Sequence, residues 1–150
     1  MANLFSEKAD YQIEKTRFGT WRRYMYPNGM MFREFKSHQR YFNMPLVHYT
    51  SGKCPETGRR VIARGIIACG RLAFGGLAVG HASLGLVAIG QAGLGILIGL
   101  GQLATGWSAL GQLAVGLKFG AGQLAMGQTA VGQLAWGRYV LAQLGLGTHV

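Results

Sequence analysis

Acidic residues almost vanish from this chain. There are five, Glu7, Asp10, Glu14, Glu34 and Glu56, and none follows Glu56. No two of them make a convincing local pair, which argues against paired-carboxylate acid–base chemistry. Proline stops at Pro55, so every later residue keeps its backbone donor. The two cysteines, Cys54 and Cys69, form neither a CxxC pair nor a disulfide framework and are expected to be free structural thiols. His38, His48, His81 and His149 have no metal-ligand spacing with one another or with either cysteine, so no metal site is expected. Ser6, Ser37, Ser51, Ser83 and Ser108 lack a nucleophile-elbow context, and no phosphate-cradling GxxxxGK[ST] loop is present. The GxGxxG-like echo around Gly93 and Gly95 is a by-product of the repeat that begins at Gly65. These absences point to a non-enzyme with no catalytic residue, no cofactor and no small-molecule substrate. The opening MANLFSEKADYQIEK sets acids where a secretory signal needs an unbroken apolar core. Cytoplasmic is therefore the default localisation, with a cell-surface or released filament as the other option.

Glycine is what the chain has in excess. It falls every fifth residue from Gly65 to Gly95, again from Gly101 to Gly116, and again from Gly122 to Gly137, with gaps such as GRLAF, GQLAV and GQLAM. A fixed period over more than half a chain marks a repeat architecture, in which each unit buries its apolar face by stacking on its neighbours. Charge divides the chain at the same place. Residues 1–64 hold twelve of the fifteen Lys and Arg and every acid, whereas only Arg71, Lys118 and Arg138 follow. The expected organisation is a basic, aromatic head or cap over 1–60 and a pentad repeat over 61–150.

The apolar length of the repeat invites a membrane reading, but its period resists one. Five residues on an α-helix advance about 500°, so successive glycines would sit roughly 140° apart and smear around every face. Membrane spanning is therefore not expected. A β-solenoid accommodates the same residues: glycine corners at positive φ, joined by short extended segments whose side chains alternate in and out. In GQLAV that alternation puts Leu113 and Val115 inside and Gln112 and Ala114 outside. The residue after each glycine alternates in character, which lengthens the true repeat to ten or eleven residues. The predicted fold is thus all-β, a Gly-cornered solenoid of about ten residues per flat, two-sided coil, with a square coil of about twenty as the rival.

Two edges follow. One stacks Gln91, Gln102, Gln112, Gln123, Gln133 and Gln143 into a polar ladder whose amides are expected to hydrogen-bond along the stack. The other exposes Leu86, Ile96, Trp107 and Leu117, a strip of the kind that marks a contact surface. Single-residue insertions in GILIGL (95–100) and GLKFGA (116–121) read as bulges, with Lys118 and Phe119 pushed outward.

The head reads as a β-hairpin over 18–38 around Pro27, Asn28 and Gly29. A third run, Leu46 to Tyr49, leads through SGKCPETGRR into the first repeat strand at Val61 to Ala63, and the head's simplest job is to cover that first coil. Its bases interleave with aromatics, and Arg22, Arg23, Arg33, Lys36 and Arg40 are candidate contacts for a polyanion or an anionic surface. At the other end the repeat persists through GRYVLAQLGLGTHV without a charged or polar closing segment. A bare final rung is a template for strand addition, so Tyr139, Leu141, Leu144, Leu146 and Val150 join the strip as candidate subunit-interface residues.

The stretch from Asn43 to Gly70, with Pro45-Leu46-Val47-His48, Pro55-Glu56-Thr57-Gly58 and Ala63-Arg64-Gly65, followed by apolar glycine pentads, resembles a family of uncharacterised bacterial proteins with GGLAIG-type repeats, often assigned to membranes by hydropathy. This chain departs from them in its many glutamines. The resemblance implies a solenoid and no chemistry. The function expected from the residues is structural: filaments built by head-to-tail stacking of identical subunits. The alternatives are a nucleic-acid or anionic-surface binding module acting through the head, and a membrane-associated protein.

Overall fold

The computed structural model describes residues 10–149, and the fold is all-β, with no helix among them. Ser6, Glu7 and Val150 lie outside the described residues. The strands are β1 (Gln12–Lys15), β2 (Gly19–Met25), β3 (Met31–Ser37), β4 (Arg40–Tyr41), β5 (Met44–Pro45), β6 (Val47–Ser51), β7 (Ala63–Cys69) and β8 (Leu72–His149). One six-stranded sheet runs in the order β1-β2-β3-β6-β7-β8, and β4 and β5 form a small ribbon of their own. Pairing is antiparallel from β1 to β6 and parallel from β6 to β8.

The β2–β3 hairpin closes where the sequence supplies turn chemistry. Gly29 sits at φ 80°, its N–H donates to Tyr26 O at 3.0 Å, and Met30 N donates to the Asn28 side chain at 3.2 Å. Strand alternation then sorts the hairpin onto two faces. Arg22 opposes Glu34 and Tyr24 opposes Phe32 on one, and Trp21 opposes Phe35 on the other. Phe32 and Glu34 are the largest fully buried side chains, and Trp21 packs on Phe35 and Tyr49, with ring centroids 5.0 and 6.0 Å apart. The last strand of this head, β6, lies beside the first strand of the repeat, Val47 opposite Ile67 and Tyr49 opposite Cys69.

Within the repeat the chain is in register with itself ten or eleven residues earlier. Ala63 pairs with Ala73, Gly65 with Gly75 and Ala68 with Ala78. A Cβ added at Gly75 would strike the carbonyl oxygen of Gly65, and one at Gly122 that of Gly111, eleven residues back across an insertion. This contact, not backbone handedness, is what demands glycine. Among the described glycines of the repeat only Gly106 has a positive φ (158°), close to plain extended backbone, so positive φ at every corner is not what the structure adopts.

The inward residue is also not the expected one. Ala114 is fully buried and Val115 is 40% exposed, so alanine points in and the larger apolar side chains point out. The same holds along the repeat, where Ala63, Ala73, Ala104, Ala125 and Ala135 are buried in one column, with Ser83 and Gly93, and Ala68, Ala78, Ala88, Ala109 and Ala130 in another, with Val140. The buried space is narrow, and alanine, serine or glycine takes every inward place but that of Val140, which is 7% exposed. A Cβ on Gly99 would already lie 2.8 Å from the carbonyl oxygen of Gly93 across that space. At the insertions Gly99 and Gly120 take the inward place of alanine. Lys118 is exposed there, its ammonium 5.8 Å from the ring centre of Trp107 one repeat earlier, and Phe119 is half-buried.

Candidate functional site: apolar faces and the groove under the head

Turning alanine inward forces the bulky residues out. Leu86, Ile96, Trp107 and Leu117 recur at ten- or eleven-residue steps and are exposed, Leu117 by 74%. Tyr139, Leu141, Leu144 and Leu146 are exposed as well. Sequence alternation missed a further exposed set: Leu84, Leu94, Leu103, Leu124, Trp136 and their neighbours, on the segments assigned to the core. A signal for them does exist. The position two after alanine's left neighbour runs Phe74, Leu84, Leu94, Thr105, Val115, Met126 and Trp136. A column that varies in volume from Thr to Trp cannot pack at one constant spacing, whereas its neighbour, Ala73, Ser83, Gly93, Ala104, Ala114, Ala125 and Ala135, stays uniformly small.

On the polar edge, Gln91, Gln102, Gln112, Gln123, Gln133 and Gln143 are all exposed, and among the described residues their side-chain amides make no hydrogen bond. Arg71, His81, Gln91 and Gln102 line one continuous shallow depression along that edge.

The candidate polyanion contacts do not form one patch. Adjacent strand residues face opposite ways, so Arg22 and Lys36 lie on the Glu34 face while Arg23 and Arg33 oppose each other on the other. Arg23 pairs with Glu14 at 3.3 Å and lies over Trp21, and Arg33 Nε contacts Met31 Sδ at 2.8 Å. Arg22 and Lys36 are committed to Glu34. Arg40, on β4, has no ion-pair partner among the described residues.

Glu34 is the hub of this face. Its carboxylate accepts from Arg22 Nε at 2.8 Å and from the Arg22 terminal nitrogen, lies 2.9 Å from Lys36 Nζ, and faces His48 Nε2 at 3.0 Å. Burial pushes the carboxyl up, but hydrogen bonds from His48, Lys36 and Arg22 outweigh it and hold the pKa at about 2. Arg64 N–H donates to His48 Nδ1 at 2.8 Å, the same nitrogen lies 3.1 Å from Arg64 O, and Nε2 is aimed at Glu34. With both nitrogens committed, His48 ties β3 to β6 and β7. Thr50 adds a second tie, its hydroxyl donating to Val61 O at 3.1 Å.

Cys54 is buried beside Tyr11, whose hydroxyl is 3.8 Å from its sulfur. Burial pushes the thiol up, yet hydrogen bonds from the backbones of Glu56 and Thr57 and from the Tyr11 side chain more than offset this and lower its pKa. Burial raises the Tyr11 hydroxyl. Among the described residues no group of three or more His, Cys, Asp and Glu side chains is placed to hold a metal ion, and no helix is long and apolar enough to cross a membrane.

A groove of about 1400 Å³ lies between the Glu34 face of the head and the first repeats. Arg22, Lys36 and Arg40 stand on its head side, and Arg64, Leu72, Phe74, Leu84 and Leu94 on its repeat side. No family model, curated protein or solved structure matches the chain.

Proposed function

We propose that this chain is a structural protein whose copies assemble into filaments. Residues 61–150 act as a two-sided β-solenoid of ten or eleven residues per coil, and the 1–60 head acts as its cap. Pairing of Ala63 with Ala73, and the glycine contacts at ten- and eleven-residue steps, support the flat coil over a square one of about twenty. The observation that carries assembly is the inversion of the repeat. Apart from Val140, the buried side chains of the repeat are no larger than alanine or serine, while most of its leucines and isoleucines, Met126 and its tryptophans are exposed in rows that recur every ten or eleven residues. Contiguous exposed apolar rows of this kind mark an interaction surface. An identical subunit carries rows of the same spacing, so the chain is its own best partner. Stacking of one subunit's head on another's final coil sets the filament direction, and the Leu86–Ile96–Trp107–Leu117 strip is buried between subunits. The split of Arg22 and Lys36 from Arg23 and Arg33 over two faces, with three of the five candidate cations already paired with acids, supports this reading over a nucleic-acid or anionic-surface module.

Negative-stain microscopy and sedimentation of protein purified without detergent test it. Filaments are expected from the native chain. The double variant Trp107→Asp, Leu117→Asp should give dispersed particles with an unchanged β-type circular-dichroism spectrum, because both side chains are already exposed. A dispersed native monomer at high concentration, or filaments indifferent to the two aspartates, would overturn the proposal.

A further inference from the structure

The geometry points to the groove under the head as a binding site for a single-chain anionic amphiphile, with the charged group on Arg40 and Arg64 and the hydrocarbon chain along the repeat. The cationic side is uncompensated. Among the described residues Glu34 is the acid lining the groove, and its oxygens are taken by Arg22, Lys36 and His48, so the guanidiniums of Arg40 and Arg64 have no carboxylate partner among them. Two guanidinium forks with no acid between them suit a phosphate or carboxylate better than a neutral group.

The apolar side is shaped for a chain rather than a compact ligand. Phe74, Leu84 and Leu94 lie ten apart in sequence, hence on successive rungs about 4.8 Å apart, and form one straight wall. Beside that wall the repeat breaks its own pattern. The column that holds Leu72, Leu103, Leu113, Leu124 and Leu134 has Ala82 and Ala92 on the two rungs after Leu72, and all three of these residues line the groove. Losing two leucines side by side leaves a trough, closed at its far end by the return of Leu103. The wall also ends there, since Thr105 follows Leu94 in its column. An apolar trough in a groove that is also lined by two guanidiniums has the polarity of a fatty acid or an alkyl phosphate.

Titration calorimetry with dodecyl phosphate below its micelle concentration tests this, with dodecanoate as the carboxylate arm. One ligand per chain is expected. Dodecyl maltoside, with the same chain and no charge, and inorganic phosphate, with no chain, should each bind at least about tenfold more weakly. Arg40→Ala with Arg64→Ala should weaken dodecyl phosphate by a similar factor. Ala82→Leu with Ala92→Leu, which restores the usual residue of the column and so spares the fold, should fill the trough and abolish binding. The same variant should still form whatever assemblies the native chain forms, which separates this site from the filament. Equal binding of the maltoside or of phosphate alone, no binding of either anionic amphiphile, or undiminished binding by the leucine variant would each overturn the assignment.

Discussion

Two neighbouring residues offer a direct test of which way the repeat faces. Leu124 is 38% exposed and Ala125 is fully buried, with Ala130, Ala135 and Val140 in the same buried cluster. Ordinary hydrophobic reasoning says that truncating the leucine should hurt and enlarging the alanine should help. The structure says the reverse. Fully burying a leucine contributes ~1.5–3 kcal/mol, and Leu124 is only partly covered by its own subunit, so Leu124→Ala should cost about 1 kcal/mol and open no cavity. Ala125→Leu must place three extra carbons in a space that the facing backbone already closes. Overpacking of this kind costs ~1–3 kcal/mol where a core can relax, and a rung held on both sides by its neighbours relaxes poorly, so about 3 kcal/mol or more is expected. Urea denaturation of both variants, followed by circular dichroism at a concentration below assembly, gives the comparison. If Leu124→Ala is the more destabilised of the two, the inward column is wrong, and the filament proposal loses the observation on which it rests.

Acid should unfold the head through Glu34. Its folded pKa of about 2 lies below the ordinary value of 4.5, so its contribution is present above about pH 4.5 and is lost as pH falls through about 2. About 3 kcal/mol is at stake, and Glu34→Gln should flatten the pH dependence of denaturation across that window. Gly75→Ala and Gly29→Ala should fail for different reasons. A methyl at Gly75 meets the Gly65 carbonyl and should disrupt the start of the repeat, whereas Gly29 has open space around it and should cost only ~1–2 kcal/mol for its φ of 80°. Thermal scans of the two variants separate them, and a tolerated methyl at Gly75 would refute the rung-to-rung contact.

Much of this fold is written in local spacing. The Pro27-Asn28-Gly29 turn, the aromatic runs that flank it and the ten- or eleven-residue step are all visible, because each depends on residues near one another in the chain. The choice of inward face was misread because alternation gives two solutions, and hydrophobicity selected leucine where constancy of volume selects alanine. The glycines were assigned to backbone handedness, although a carbonyl ten residues away imposes them. The Glu34 hub is not legible at all. It needs Glu34 opposite Thr50 and His48 beside Ala68, pairings set by tertiary register between β3, β6 and β7. The five candidate cations likewise looked like one patch, because composition counts Arg22 and Arg23 together while a pleated strand sends them to opposite faces.

An alanine interior also settles where the stability of the repeat must come from. A buried methyl contributes little, roughly 0.8 kcal/mol per carbon on the transfer scale, against ~1–2 kcal/mol of backbone entropy for each residue ordered. The rung-to-rung hydrogen bonds narrow that gap, each by about 1 kcal/mol net, but they leave the isolated repeat marginal. The outward leucines, isoleucines and tryptophans hold the remaining apolar area, and it becomes stabilising only once something covers it. Coverage by another copy makes folding and association one equilibrium, so the melting temperature of the native chain should rise with protein concentration. In the Trp107→Asp, Leu117→Asp variant it should be lower and independent of concentration. A native melting temperature that stays constant across a wide range of dilution would mean that the thin coil stands alone, and that the rows on its faces serve something other than a second subunit.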